Sequence, residues 1–147
     1  MTPIYLYYGS SNPLEGEYIL PKQGKDARKR PENMHTGVYA TDSREVAIAM
    51  ALIRCKGVKM SSIRFSQSPP ATIYEGWPEQ EEIYLYTLSP NKFLQTSLKR
   101  QWLCLSQVKP LKVDKLKVAD YLSLIRKADE DEKIEWIKKN SLNKKEI

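Results

Sequence analysis

Two short stretches of this sequence contain residues that could hold a flat, polar ligand. The first, Ile4–Ser10, is a β-branched and aromatic run that ends in Tyr8, Gly9 and Ser10. The second, Gly37–Leu52, begins with a Gly-Val-Tyr-Ala-Thr run and continues as an amphipathic helical pattern. Tyrosine rings, hydroxyls and backbone groups at two strand ends are the arrangement that we expect around a nucleotide cleft.

Several common kinds of catalytic site are excluded by the residues that the chain contains. There is no glycine-rich dinucleotide motif, no P-loop and no Gly-x-Ser-x-Gly motif. The single histidine, His35, excludes a multi-histidine metal site, and Cys55 and Cys104 lie too far apart for a metal or disulfide framework. We therefore expect no bound metal and two buried or half-buried thiols in a reducing compartment. Chemistry based on tyrosines, hydroxyls and backbone groups remains.

The composition is that of one ordinary globular domain. The chain has 147 residues, of which 41% are hydrophobic and 29% charged, and this is enough for a single core. We assign residues 1–140 to this domain and residues 141–147 to a polar tail. No apolar run approaches the length of a transmembrane helix, and the N-terminus lacks a signal-peptide pattern, so we expect a cytoplasmic protein without membrane association. The net charge of +6 fits dispersed surface lysines and leaves a polyanionic partner, such as a nucleotide, open.

Period-two alternation and β-branched or aromatic residues predict a series of short strands. These are Ile4–Tyr8, Glu17–Leu20, Gly37–Ala40, Met60–Ser66, Ala71–Tyr74, Ile83–Leu88, Phe93–Thr96, Gln101–Leu105 and Val108–Val113. Gly9 and Ser10 predict a break after the first strand. Lys22–Asn33 is polar and has no apolar period, so we predict an exposed loop there.

One helix is predicted early in the chain, directly after the strand that contains Tyr39. Asp42 or Ser43 supplies its N-terminal cap, and Gly57 marks its end. Its predicted buried stripe consists of Val46, Ala49, Met50 and Ile53.

Further helices are predicted at the end of the chain. From Asp114 the apolar period changes to 3.6, with a stripe formed by Val118, Tyr121, Leu122 and Ile125. Asp129, with Glu132 three residues later, predicts the cap of another helix. Many short strands, one early helix and helices at the end together predict an α+β fold with a mostly antiparallel sheet.

Four motifs occur in a fixed order along the chain. They are Leu6–Ser10 (Leu-Tyr-Tyr-Gly-Ser), Val38–Thr41 with the helix after it, Ile83–Tyr86 with Phe93 beyond, and Gln101-Trp102 with Val108–Leu111. This ordered set, which extends from residue 4 to residue 122 with gaps, resembles the ADP-ribosyltransferase fold. It is most similar to small bacterial proteins of the rifampin ADP-ribosyltransferase type. The resemblance implies a mostly antiparallel split sheet with one early helix and C-terminal helices.

The resemblance also implies an NAD-binding site. Tyr8 stands where the family has a histidine that binds a ribose of NAD, and Gly9 stands where backbone groups bind the nicotinamide amide. Tyr39 matches the tyrosine that stacks on the nicotinamide ring, because a flat π face can hold a flat cation. The implied NAD-binding residues are Tyr8, Gly9, Ser10, Tyr39, Ala40 and Thr41.

A third family position implies the catalytic chemistry. It is often Glu or Asp, which stabilises the oxocarbenium-like centre and orients the acceptor. Gln95 and Gln101 are the candidates here, and we prefer Gln101, beside Trp102. A glutamine can orient an acceptor but supplies no negative charge. The implied enzyme is an NAD-dependent ADP-ribosyltransferase with an atypical Tyr-Tyr-Gln site, in which Gln101 and Tyr8 are the catalytic residues and NAD is a substrate. The acceptor is a macromolecule or a small molecule.

Two other readings of the same residues stay open. The first is a catalytically inactive module of the same fold, whose cleft holds a nucleotide or a partner. The second is a basic protein that acts on nucleic acid through Lys22–Arg30 and the C-terminal lysines.

Overall fold

The structure, a computed structural model, describes residues 3–23 and 35–145. The strands are β1 (Leu6–Ser10), β2 (Lys22–Gln23), β3 (Thr36–Thr41), β4 (Val58–Ile63), β5 (Ala71–Gly76), β6 (Glu82–Leu88), β7 (Leu94–Gln95), β8 (Gln101–Cys104), β9 (Lys112–Lys117) and β10 (Ile125–Lys127). The helices are α1 (Arg44–Ile53) and α2 (Glu130–Lys145), with a 3-10 helix at Val118–Leu124.

These strands form two sheets. In the larger sheet the order is β7-β8-β3-β1-β6-β9, β2 also pairs with β3, and every pairing is antiparallel. In the smaller sheet β5 lies between β4, which is antiparallel to it, and β10, which is parallel to it. The predicted α+β class with mostly antiparallel pairing is therefore confirmed.

Helix α1 lies between the two sheets and is buried on nearly all sides. It contacts β1 and β6 of the larger sheet and β4 and β5 of the smaller one. Its buried residues are Val46, Ala47, Ile48, Ala49, Ala51 and Leu52. The predicted stripe of Val46, Ala49, Met50 and Ile53 was thus too narrow, because a helix covered on two sides needs apolar residues around most of its circumference.

The start of α1 is fixed by Ser43. The Ser43 side chain accepts a hydrogen bond from the backbone N–H of Val46 at 3.2 Å, and its own backbone is extended. Ser43 is therefore the cap, and Asp42, the other candidate, lies one residue outside. The helix ends at Ile53, before Gly57, whose φ of +96° places the turn after the helix in the left-handed region.

A second apolar core covers the face of the larger sheet that points away from α1. It contains Leu6, Ile19, Val38, Ala40, Tyr86, Leu88, Phe93 and Cys104. The segment after β1 closes over it, since the backbone N–H of Leu14 donates to the Tyr86 hydroxyl at 3.0 Å and Ile19 forms a bridge with Val108. Both faces of the larger sheet are thus partly covered.

The boundaries of β1 differ from the sequence prediction. The strand runs from Leu6 to Ser10, so Gly9 and Ser10 continue it instead of breaking it. Both pair with β6, Gly9 opposite Leu85 and Ser10 opposite Tyr84. The ladder with β6 outweighs the local turn tendency of Gly-Ser, which is a tertiary effect that a local pattern does not contain.

The prediction was also wrong from Val108 to Ile125. Pro110 carries no backbone N–H for a ladder, and the strand forms after it, as β9 at Lys112–Lys117. Where a helix was predicted from Asp114, the chain continues β9 and then makes the 3-10 helix, in which Tyr121 has non-helical angles. Ile125 begins β10.

Helix α2 begins as predicted. Asp129 Oδ1 accepts from the backbone N–H of Glu132 at 2.8 Å, and the Glu132 carboxylate accepts from the Asp129 N–H at 3.2 Å, which is a capping box. Trp136 stacks on Tyr74 of β5, with ring centroids 4.8 Å apart. The helix extends to Lys145, so it includes most of the segment predicted as a tail at residues 141–147.

Parts of two predicted segments lie outside the described residues. Of the predicted loop Lys22–Asn33, only Lys22 and Gln23 are described, and they form β2 beside β3. Residues 24–33 and the end of the tail, 146–147, lie outside. In the described ranges, no helix combines the length and apolar character that crossing a bilayer requires.

Candidate functional site

The pairing between strands β1 and β3 of the larger sheet ends early. In the described part of the chain these strands share one paired position, Tyr7 with Thr41. Beyond it, residues Tyr8–Ser10 pair with β6 alone, and β3 continues beside β8. We call the gap between Tyr8–Ser10 and Gly37–Ala40, closed at the Tyr7–Thr41 pair, the β1–β3 opening. It lies where the sequence predicted a ligand cleft.

The pairing register assigns the predicted site residues to two faces of this sheet. Residues directly opposite in an antiparallel pair point to the same side, and successive residues alternate. Thr41 is opposite both Tyr7 and Gln101, so these three share the face toward α1, and Tyr39, two residues before Thr41, shares it too. Tyr8, which is opposite Tyr86, points to the other face. Of the remaining predicted residues, Gly9 lies on the face toward α1, whereas Ser10 and Ala40 lie on the face away from it.

Gly9 provides a close contact between β1 and α1. A Cβ atom at this position would overlap the carbonyl oxygen of Ala47 and lie 3.1 Å from the Cβ of Ala51. Only glycine lets the helix backbone come this near to the strand. The glycine therefore has a packing role that the sequence alone did not reveal. Its backbone also lies on the edge of β1 that is not paired with β3.

Tyr39 is held in place by the start of its own strand segment. Its hydroxyl accepts from the backbone N–H of His35 at 3.1 Å and donates to the His35 carbonyl oxygen at 3.3 Å. The ring is half-buried. Because two hydrogen bonds anchor the far end of the side chain, the ring plane beside the opening is fixed in advance of any ligand.

Gln101 is buried at the start of β8, with 8% of its surface exposed. Its side-chain oxygen accepts from the Thr96 hydroxyl at 2.8 Å, and its carbonyl oxygen accepts from the Thr96 backbone N–H at 3.0 Å. Gln95 is opposite Trp102 and is exposed, so it lies on the other face of the sheet. Of the two glutamines, Gln101 is the one that shares a face with Tyr39.

The other predicted residues have local roles. The Ser10 hydroxyl donates to the carbonyl oxygen of Asn12 at 2.8 Å in the turn after β1. The Thr41 hydroxyl accepts from the backbone N–H of Ser43 at 3.1 Å and so supports the start of α1. Ala40 is buried in the second core. Tyr8 lies beside Tyr86 with ring centroids 6.3 Å apart, and burial raises the pKa of Tyr86.

The predicted residues thus lie on the strands that border one gap, but their side chains point to both faces of the sheet. Tyr39, Thr41 and Gln101 share a face, while Tyr8 packs against the second core on the opposite face. A ligand that contacts Tyr8 and Tyr39 together has to pass through the gap and not lie flat on one face. Their part in binding NAD stays a prediction.

A second concave site, which the sequence did not reveal, lies at the other end of β1. We call it the Tyr7 cleft; it has a volume of about 350 Å³ and is lined by Tyr5, Tyr7, Arg44, Thr87, Leu111, Lys112 and Asp114. Three of these, Tyr7, Thr87 and Lys112, are directly opposite one another across β1, β6 and β9. The available signals were a threonine in the apolar run of β6 and an arginine directly after a helix cap.

Both cysteines are buried and free, as predicted. Burial raises the pKa of the Cys55 thiol from 9.0 to about 11. This thiol also donates to the carbonyl oxygen of Ala51 at 3.5 Å inside the first core. A buried thiol with a raised pKa has little thiolate at neutral pH, so Cys55 has the character of a packing residue and not of a nucleophile.

Comparisons of this chain with protein-family models, with curated proteins and with solved structures find no match.

Proposed function

We propose that this protein binds NAD at the β1–β3 opening and acts as an ADP-ribosyltransferase. The observation that carries the proposal is the loss of pairing between β1 and β3 immediately after Tyr7 and Thr41. The gap therefore begins at Tyr8-Gly9-Ser10 and faces Tyr39, which are the residues that the family resemblance assigns to NAD. An opening at an unrelated place in the sheet would have given this resemblance no support.

The residues at the opening have complementary tasks in this proposal. The backbone of Gly9 sits at a strand edge that β3 has left, where amide groups can bind the nicotinamide carboxamide. The fixed ring of Tyr39 stacks on the nicotinamide ring. Tyr8 offers its hydroxyl to a ribose hydroxyl from the opposite side of the gap.

The reaction breaks the bond between nicotinamide and ribose. The electron pair of that bond leaves with nicotinamide, which departs neutral, and the ribose carbon bonds to the acceptor, which loses a proton. An acid at the third position would stabilise the positive charge on the ribose. Gln101 supplies only its amide dipole, so we expect a slow transferase.

The alternative is a catalytically inactive module with the same NAD cleft. It is favoured by the hydrogen bond that the Thr96 hydroxyl donates to the side-chain oxygen of Gln101. This oxygen is the atom of Gln101 that most resembles a carboxylate oxygen, and the hydrogen bond already engages it. Binding without turnover is the expected property of such a module.

Calorimetry with NAD tests the cleft, and the release of nicotinamide distinguishes the enzyme from the inactive module. Tyr39→Ala should abolish binding, because the flat stacking surface is lost. Tyr39→Phe keeps that surface and should retain most of the affinity. Tyr18→Ala, at an exposed tyrosine outside the opening, is the control and should bind NAD as the unmodified chain does. An unmodified chain that does not bind NAD at millimolar concentrations would refute the proposal.

A further inference from the structure

The Tyr7 cleft contains a buried hydroxyl with no hydrogen-bond partner. Thr87 is 5% exposed, and no atom of the described residues forms a hydrogen bond with its Oγ1. Its side chain points to the same face as Tyr7 and Lys112, which are directly opposite it and also line the cleft. Buried polar atoms without a partner are uncommon and destabilising. A ligand atom that accepts a hydrogen bond from this hydroxyl would explain why it is retained.

The cleft around this hydroxyl contains two cationic side chains, Arg44 and Lys112, and one carboxylate, Asp114, so cations outnumber carboxylates. Among the described residues no carboxylate forms an ion pair with Arg44. Lys112 is 3.6 Å from Asp114, but their side chains are 64% and 40% exposed, so this pair is weak and Lys112 can turn to another anion.

The same site lies at the N-terminus of α1. Arg44 is the first residue of this helix, which has 10 residues. Ser43 occupies the N–H of Val46, whereas the N–H groups of Arg44 and Glu45 have no acceptor within the helix. N–H groups without an acceptor inside the helix, together with the helix dipole, favour an anion at this end.

From these three features we propose that the Tyr7 cleft is a second binding site, which takes the phosphate group of a small phosphate monoester. Arg44 and Lys112 neutralise the phosphate, and the Thr87 hydroxyl donates one hydrogen bond to it. The volume of about 350 Å³ is in the range of sites for organic ligands and exceeds the need of a bare phosphate ion. Tyr5 and Leu111, which are 46% and 58% exposed, supply an apolar rim for the organic part.

This site is independent of the proposed NAD site. The Tyr7–Thr41 pair closes the β1–β3 opening, whereas the Tyr7 cleft extends from Tyr7 toward Tyr5, Leu111 and the end of β6. Phosphate binding here does not depend on whether NAD binds between β1 and β3.

Phenyl phosphate, titrated into the 15N-labelled full chain, is the direct test. We expect the amide signals of Tyr7, Arg44, Thr87 and Lys112 to shift and to saturate together. Inorganic phosphate should move the same signals with weaker affinity, because it lacks the group that contacts the rim. Shifts that do not saturate, that spread over surface lysines, or that are equally tight for inorganic phosphate would overturn the assignment.

Matched variants test each contact of the phosphate. Arg44→Gln should weaken phenyl phosphate binding about tenfold, the usual effect of losing one charged hydrogen bond. Arg54→Gln, at the opposite end of the same helix, removes the same charge and should change the affinity less than twofold. Lys112→Gln should likewise weaken binding, whereas Lys117→Gln on the other face of β9 should not. Equal losses within either pair would show a general charge effect and refute the site.

The Thr87 hydroxyl is tested by two substitutions of similar shape. Thr87→Val removes the donor and should weaken binding severalfold, and Thr87→Ser keeps the donor and should bind nearly as well as the unmodified chain. Unchanged affinity in Thr87→Val would mean that the hydroxyl has no part in the site. Tyr39→Ala should leave phenyl phosphate binding unchanged, which separates this site from the proposed NAD site.

Discussion

Gly9 lies directly against the carbonyl group of Ala47, so that strand β1 and helix α1 touch backbone to backbone. This contact gives the first prediction. Gly9→Ala forces the helix and strand apart in a packed core, and we expect a loss of about 1–3 kcal/mol or more in the free energy of unfolding. Urea denaturation followed by circular dichroism measures the loss.

Gly16 supplies the matched control for this substitution. A Cβ there meets no atom within 4 Å. Gly16→Ala should therefore leave the stability unchanged or raise it slightly, because alanine restricts the unfolded chain. Equal stability of the two variants would contradict the close contact between β1 and α1.

Two buried threonines on the same face of the larger sheet predict opposite effects of one substitution. Thr87 Oγ1 has no partner among the described residues, so Thr87→Val should stabilise the fold by about 1 kcal/mol. Thr41 Oγ1 accepts a hydrogen bond from the N–H of Ser43, so Thr41→Val leaves that N–H without its acceptor and should cost about 1–2 kcal/mol. Thermal unfolding of both variants in phosphate-free buffer checks the signs. A destabilised Thr87→Val variant would show that its hydroxyl has a partner.

The ion pair between Arg126 and Glu132 predicts a pH dependence at the start of α2. Hydrogen bonding from Arg126 and from the Asp129 backbone lowers the pKa of Glu132 from 4.5 to about 2. A carboxylate with a lowered pKa in the folded state stabilises the fold above pH 4.5, and this contribution disappears as the pH falls from 4.5 toward 2.

An NMR titration of the Glu132 side chain measures this effect. In Arg126→Gln the pKa of Glu132 should rise toward 4.5, since its largest favourable contact is gone. Arg54→Gln removes an equal charge from another part of the fold and should not move it. A Glu132 pKa that stays near 2 without Arg126 would assign the shift to another cause.

Burial of both thiols predicts their reactivity. The pKa of Cys55 is raised to about 11, and Cys55 and Cys104 are each 3% exposed. At pH 7.5 the folded chain should react with Ellman's reagent only at the slow rate of its unfolding. Both thiols should react at once in strong denaturant, which is the internal control. Fast reaction of one thiol in the folded chain would show local opening of its core.

The local pattern was sufficient where a segment makes its own structure. Ser43 and Asp129 cap helices that the sequence predicted, and the alternation in Ile83–Leu88 produced β6 nearly as expected. The two caps join residues that are close in sequence, and the alternation of β6 lies within one short segment, so each signal lies within a short window.

The prediction was wrong where distant partners decide the structure. Gly9 and Ser10 have turn chemistry, but the ladder with β6 holds them in a strand. Ile125 fitted a helical stripe, yet its pairing with Ala71 places it in a parallel strand. Neither partner can be read from the neighbouring sequence, which is why β1 ended too early and β10 was missed.

The candidate site shows the same division. The sequence identified the residues on both sides of the β1–β3 opening, because each side is a local motif. It did not identify the Tyr7 cleft, whose residues come from β1, β6, β9, the start of α1 and the positions just before β1 and β9. Thr87 appears as one more strand residue until its hydroxyl is seen to lack a partner.

The single Tyr7–Thr41 pair also determines how the two halves of the larger sheet are joined. Strands β1, β6 and β9 form one continuous ladder, and β3, β8 and β7 form another. Across the gap the halves are held mainly by apolar side chains, those of the second core on one face and α1 on the other. Hydrogen-bonded ladders have a fixed spacing, whereas apolar contacts have no preferred direction. A change in the width of the opening would therefore disturb one strand pairing and the side-chain contacts, whereas the ladders on either side would stay intact.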